Sequence, residues 1–421
     1  MTVTDLLKHL TDKGVVLSVK EDELVVQGKR HALGDAALLE RLRENKPALI
    51  ELIRSGSYEP RPTVLQVPPN LIPEGCEAIT PQMLPLVSLT QPEIDRIVAQ
   101  VPGGAANVQD IYPLAPLQEG ILFHHLRDQG SDVYVMPALL AFDTRALLDR
   151  FIAALQSVIA RHDILRTAVC WEGLPEPVQV VWREAPLRLE EIELDGSAGE
   201  VGDQLHGCFE PSRHRIDVRQ APLTRAVAAH DAANDRWIAL LMFHHLAIDH
   251  TTQEVLMHEI QAHLLGEQAR LPKALPFRNF VAQARLGVPR EQHEAFFREM
   301  LADVDEPTLP FGMADVNGDG SDVAEVDRPV DVALVKHMRE RARGLGVSVA
   351  SLVHLAWAQV LSRISGRDDV VFGTLLFGRM QGGEGSERVL GLFINTLPLR
   401  LKLGHEGVQG AVKSTHALLG R

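Results

Sequence analysis

The chain has 421 residues, 45% of them hydrophobic and 23% charged, with a formal net charge of −14. At about 150 residues per domain it is too long for one ordinary core, so two or three soluble globular units are expected. The acidic excess repels phosphate and argues against a nucleic-acid role; no apolar run reaches the roughly 20 residues that cross a bilayer, no secretory signal opens the chain, and Cys76, Cys170 and Cys208 form no CxxC pair or disulfide framework, which suits a reducing cytoplasm.

Residues 1–56 read as a small unit. Leu6, Leu7 and Leu10 have helical spacing, and Gly14 supplies a stop. Two β-type runs, Val15 to Val19 and Leu24 to Val26, flank a polar turn and predict a hairpin. Leu38, Leu39 and Leu42 restore the helical period, and Pro47 suits the first turn of a further helix through Leu49, Ile50 and Ile53. The order is therefore α-β-β-α-α. Residues 57–86 carry Pro60, Pro62, Pro68, Pro69, Pro73 and Pro81 and read as a Pro-rich linker, its second half open to packing on the next domain.

From Val87 onward strands and helices alternate. Helices are predicted over Leu147 to His162, Thr252 to Leu265, Val332 to Leu345 and Ser348 to Ile364, the last with Ser348 as N-cap. The continuous apolar run Trp237 to Phe243 is expected to be a strand buried on both faces, and Val370 to Phe377 a central strand. Two lobes are expected, the first ending near Pro272.

The run His244-His245-Leu246-Ala247-Ile248-Asp249-His250 follows the buried strand. A strand end that delivers two histidines and a carboxylate into a loop is a usual placement for a site, and imidazole supplies a base that titrates near neutrality. A shared zinc is disfavoured, because adjacent strand residues point to opposite faces.

This run resembles the HHxxxDG signature of condensation domains of nonribosomal peptide synthetases, which share the fold of chloramphenicol acetyltransferase. Other motifs follow the family's order: Tyr112 to Gly120 resembles its first, Arg161-His162-Asp163-Ile164-Leu165-Arg166-Thr167 its second, Pro276 to Phe280 loosely its fourth, and Leu390 to Arg400 closely its fifth. The early unit is similar to TubC-like docking domains. The implied fold class is α/β (α+β): a docking domain at 1–56, a linker at 57–86 and a two-lobed condensation domain at 87–421. Its N-lobe spans about 87–272, and its C-lobe, lacking the family's sixth and seventh motifs, is an incomplete one at about 273–421.

The resemblance implies that His245 is catalytic, contacting the α-amine of an acceptor aminoacyl group as it attacks an upstream aminoacyl or peptidyl thioester. His244 and Asp249 would frame it, Asp249 by pairing with Arg166. Asn395 lies in the fifth motif. His250 stands where the family usually has Gly and would change the lining beside His245. A second early pattern, HH[IL]xxxxGD, marks the dual subclass that epimerises the donor before condensing it. Here His124-His125-Leu126 runs to Ser131-Asp132 with the spacing kept and Ser131 in place of Gly. Epimerisation of an L donor to D is therefore expected, with His124 and His125 as its candidates and condensation without epimerisation as the alternative.

No cofactor or metal is implied, since substrates arrive on the 4'-phosphopantetheine arms of carrier proteins. The expected partners are the C-terminal tail and carrier of an upstream synthetase, met at Lys20, Lys29 and Arg30 beside the hairpin, and a downstream carrier; neither nucleic acid nor membrane is expected. A non-catalytic carrier-recruiting module and a freestanding coenzyme A acyltransferase are the rival functions. Asp315 to Gly320 opens like a calcium loop but has Val326 at position twelve. His258-Glu259 with His263 is one residue too long for HExxH.

Overall fold

The computed structural model describes residues 67–420 apart from 129, 211–213, 314–323, 325, 382–387 and 405, together with residues 6, 16–20, 23–27, 40–42, 45–47 and 49–50 of the N-terminal unit. In that unit β1 (Val16–Lys20) and β2 (Glu23–Gln27) pair antiparallel as the expected hairpin, with Lys20 opposite Glu23. Leu6, Leu17, Leu42 and Leu49 are buried, which is the core the leucine spacing calls for. Lys29 and Arg30, the Asp315 to Gly320 loop and the glycine-rich stretch at 382–385 lie outside the described residues.

The expected linker divides. From residue 70 onward it is part of the fold: Asn70 donates to the carbonyl of Gln109, and Ile72, Ile79 and Leu84 are buried with Ile94 and Ile97 of α1 (Gln91–Gln100). Apolar residues spaced among the prolines outweigh the stiffness of the prolines themselves, because each buried one contributes about 1.5–3 kcal/mol.

The N-terminal half of the main domain holds two sheets. One is three-stranded, with β3 (Val108–Pro113), β6 (Val178–Trp182) and β5 (Thr167–Cys170) in the order β3-β6-β5. The other runs β4-β9-β8-β7, from β4 (Val135–Phe142), β9 (Arg236–His244), β8 (Thr224–Asp231) and β7 (Leu189–Glu191). Strand β9 sits between β4 and β8, so its last seven residues are buried, as the continuous apolar run requires. Helix α2 (Pro116–Arg127) follows β3, and α3 (Arg145–Arg161), capped by Thr144 accepting from the Leu147 amide, buries Leu148, Phe151, Leu155, Val158 and Ile159. Helix α4 (Val201–Cys208) precedes β8, and α5 (His250–Leu264) begins six residues after β9 ends.

Beyond Pro272 come α6 (Arg278–Leu286), α7 (Arg290–Leu301), α8 (Val332–Leu345), α9 (Val349–Ser365), β10 (Asp369–Phe377), β11 (Ile394–Lys402) and α10 (Val408–Leu419). Ser348 caps α9 as expected. Strand β10 is not a central strand among the described residues. It pairs only with β11, and Leu375 and Phe377 are exposed. The apolar run that predicted it is one face short of a buried strand. The first core also does not stop at Pro272. Phe277, Val281, Leu390, Leu392 and Phe393 are buried in the same cluster as β9 and α3, with the Phe280 and Phe393 ring centroids 4.4 Å apart. No single helix among the described residues is long and apolar enough to cross a membrane.

The close approach of the fifth motif to the fourth needs a glycine. Gly391 has φ 144°, and a Cβ there would enter the ring of Phe277. Gly391→Ala combines a backbone penalty with overpacking and is expected to lose at least about 2 kcal/mol of stability, read from urea unfolding; an unchanged midpoint would contradict this packing.

Candidate active site

Strand β9 delivers His244 and His245 to its C-terminal end. The His244 amide donates to the carbonyl of Leu223 at 3.0 Å and the His245 amide to that of Tyr134 at 2.8 Å, so neighbours on both sides anchor the strand end. The following residues are packed rather than loose: Leu246, Ala247 and Ile248 are all buried. Gln118, in the first motif on α2, donates to the carbonyl of Leu246 at 2.7 Å and to Gln179 at 3.0 Å. Two motifs more than a hundred residues apart are thus one hydrogen-bonded unit.

Asp249 closes the loop as the N-cap of α5, its Oδ1 accepting from the Thr252 amide at 2.7 Å. Such a cap contributes about 1 kcal/mol. The same carboxylate is buried and takes two further bonds. Arg379 donates to Oδ1 at 2.8 Å, and the amide of Phe393 donates to Oδ2 at 3.1 Å. Arg379 also donates to Thr252 Oγ1 at 2.8 Å, and its guanidinium lies 4.1 Å over the Phe393 ring.

The expected Asp249–Arg166 pair is therefore corrected: the cation on Asp249 is Arg379, from the short turn after β10. Arg166 instead donates to the carbonyls of Trp182 and Arg183. Burial lowers its pKa, and the nearby Asp163 carboxylate opposes that shift. The second motif works through Asp163, whose two oxygens accept from the Phe277 amide at 3.0 and 3.1 Å. Burial raises the Asp163 pKa. The discarded His258-Glu259 pattern also finds its place, since buried Glu259 accepts from His162 at 2.8 Å and meets Arg161 at 3.1 Å.

His244 is wholly buried. Its Nδ1 accepts from the Leu246 amide at 3.1 Å. An amide can only donate, so the ring proton sits on Nε2, which faces Asp132 Oδ2 at 3.2 Å. The same Oδ2 lies 2.8 Å from His125 Nδ1, and Asp132 Oδ1 accepts from the Tyr134 amide at 3.2 Å. Burial lowers the pKa of His244, and the Asp132 contact opposes it only in part. Asp132 is held well below the usual carboxylate range: burial pushes it up, and hydrogen bonds from His125 and His244 outweigh that. The ligating atoms of this trio lie within 4.8 Å of one another, but the proton on His244 Nε2 occupies the position a metal would need.

His245 is half-buried, and its Nδ1 has no hydrogen-bond partner among the described residues. That nitrogen is sealed from solvent, so the half-buried ring can meet a ligand only through Nε2. His124 is half-buried, its ring 6.1 Å from that of Tyr134. His250 is 84% exposed in its side chain and meets Glu254 at 3.5 Å, so it opens α5 on the surface. Asn395 accepts from the Thr396 amide on the β10–β11 ladder, two residues after Phe393. Asp132, Gln118 and Arg379 are the members the sequence did not single out. The first two lay inside quoted motifs, whereas Arg379 had no motif to mark it.

A profile of the condensation-domain family matches residues 108–419. The chain belongs to the condensation-domain family of nonribosomal peptide synthetases. This condensation domain is 46% identical over 396 residues to malpinin synthetase of Mortierella alpina, covering 94% of the chain. It is 50% identical over 348 residues to malpibaldin synthetase of the same organism, covering 83% of the chain. A linear gramicidin synthase of Brevibacillus parabrevis is 31% identical over 333 residues, 77% of the chain. The chain spans 5%, 6% and 6% of these relatives' lengths. Its fold is similar to the cyclization-docking bidomain of EpoB from Sorangium cellulosum, with a TM-score of 0.59 at 18% identity over 99% of this chain and 77% of that one. It is also similar to the condensation domain of the monacolin K polyketide synthase MokA, with a TM-score of 0.58 at 19% identity over 74% and 73%.

The bonds of the site lead to one expectation for a substitution and one for pH. Asp249→Ala removes the α5 cap and the buried carboxylate that Arg379 and the Phe393 amide bond, and is expected to lose about 3–5 kcal/mol in denaturant unfolding, whereas Arg166→Ala leaves the Asp249 network in place. As for pH, an unfolded histidine takes up a proton below about pH 6.5, while His244 resists it, so the stability of the site is full above that value and falls as the pH drops toward the folded pKa. The depressed pKa of Asp132 has the same sign and acts at more acidic pH. His244→Gln is expected to flatten the decline of the urea midpoint between about pH 7 and 5; an equally steep decline would exclude His244 as its source.

Proposed function

We propose that the chain forms a peptide bond between an upstream carrier-bound aminoacyl or peptidyl thioester and the α-amine of a downstream carrier-bound aminoacyl group. The observation that carries this is His245: a half-buried imidazole at the end of β9, on a loop bonded to the first motif, the fifth motif and Asp132. The amine attacks the thioester carbon, the C–S bond breaks, the thiol of the phosphopantetheine arm leaves, and the amine sheds a proton. A free α-amine with a pKa of about 8 needs little help to lose that proton, so the larger share of the work falls to positioning. His245 holds the amine; His244 and Asp249 frame it. The soluble-type domain and its thiol-borne substrates suit the cytoplasm.

Epimerisation of the donor before condensation is favoured by a separate observation. Asp132 bonds both His125 and His244, so the early histidine pair stands beside the signature rather than at a distant helix end. An L donor would then yield a D residue in the product. The N-terminal unit is read as a docking domain for the upstream synthetase's tail, which adds to the β1–β2 hairpin edge as a strand, with Lys20, Lys29 and Arg30 as basic contacts. The hairpin itself and the likeness to a cyclization-docking bidomain over 99% of the chain support that reading.

The deciding assay loads L- and D-aminoacyl donors on carriers and reads product stereochemistry. The expected result is a D residue from an L donor, and a fall in condensation of about 100-fold or more in His245→Ala. An L product from an L donor removes epimerisation; an active His245→Ala variant removes the central assignment.

A further inference from the structure

We propose that Asp132 is a positioning residue shared by the two histidine pairs, which sets the ring tautomers of His125 and His244 and so divides their labour. The geometry leaves one consistent proton assignment. Leu246 donates to Nδ1 of His244, so His244 carries its proton on Nε2 and gives it to Asp132. Asp132 Oδ2 is an ionised acceptor, so the contact at 2.8 Å requires a proton on Nδ1 of His125. His125 then has its lone pair on Nε2. His244 has no lone pair to spare and serves as a strut, while His125 has a carboxylate behind one nitrogen and a base at the other. That arrangement orients an imidazole and offsets the charge it gains on taking a proton. Asp132 itself is buried and held from a third side by the Tyr134 amide, and Arg215 grips the carbonyl of His125. The ring of His125 lies 5.5 Å from that of His244, edge to face.

The role of His125 as a base rests on the epimerising reading; the hold on His244 does not. In the epimerising step, Nε2 of His125 takes the α-proton of the donor. The Cα–H bond breaks and its electron pair enters the thioester as an enolate. Water delivers a proton to the other face, and His125 returns its own proton to solvent. Each inversion therefore exchanges one α-hydrogen with solvent.

The test uses the whole chain, a panel of L-aminoacyl pantetheine thioesters in deuterium oxide, and D-aminoacyl donors that bypass epimerisation. Asp132→Asn is expected to lower α-hydrogen exchange by about 100-fold or more and condensation of a D donor by a clearly smaller factor, since in condensation Asp132 acts only through the frame residue His244. A merely structural role would depress both equally, and that result overturns the proposal. Exchange that survives Asp132→Asn overturns the proposal while leaving the epimerising reading intact. No exchange by the unsubstituted chain overturns that reading and the His125 half together. Imidazole-nitrogen NMR of the unsubstituted chain decides the tautomers even where the variant fails to fold: Nδ1–H on His125 and Nε2–H on His244 are expected, and the reverse on either ring overturns the assignment.

Discussion

Asp249 is the point from which the rest of the site hangs. Its carboxylate ends the loop after β9, starts α5, holds a guanidinium from the turn after β10, and accepts an amide from the fifth motif. A buried carboxylate is tolerated only when its acceptor capacity is used and its charge met, and here each bond comes from a different part of the chain. Satisfying one charge therefore brings four segments together. His245 lies four residues before it, and its place in space is a by-product of that requirement.

A second buried carboxylate does the same on the other side of β9. Asp132 gathers His125 and His244, and Gln118 ties α2 to the loop carbonyl of Leu246. His245 is thus held through backbone bonds and neighbours while its own Nδ1 stays unpartnered among the described residues. The division is economical in physical terms: rigid bonds occupy the groups around His245, and its own ring takes no part in holding the loop.

The fold supports this by joining the two halves of the chain in one core. Phe277, Phe280 and Phe393 pack on each other and against the cluster that contains β9, and Gly391 has no side chain because that contact leaves no room for one. The fourth and fifth motifs thereby act as wedges that fix where Arg379 and the Phe393 amide arrive. The residues that make these contacts are apolar or glycine because their work is distance, not chemistry.

Local pattern was enough to mark the elements and the signature. The continuous apolar run gave β9, two β-type runs around a polar turn gave the β1–β2 hairpin, and Ser348 marked the start of α9. The two histidines and Asp249 stood out because side-chain chemistry at fixed spacing is a property of the chain alone. Partnership is not such a property. Arg166 and Arg379 are equal candidates for Asp249 on paper, and only the path of the chain brings Arg379 to it while spending Arg166 on carbonyls. The same holds for Asp132, whose value lies in a contact 112 residues away, for the second half of the linker, whose apolar residues found a core, and for β10, whose run of apolar residues could not say how many neighbours it would have. Sequence determines which groups can interact; the long-range geometry of the folded chain decides which of them do.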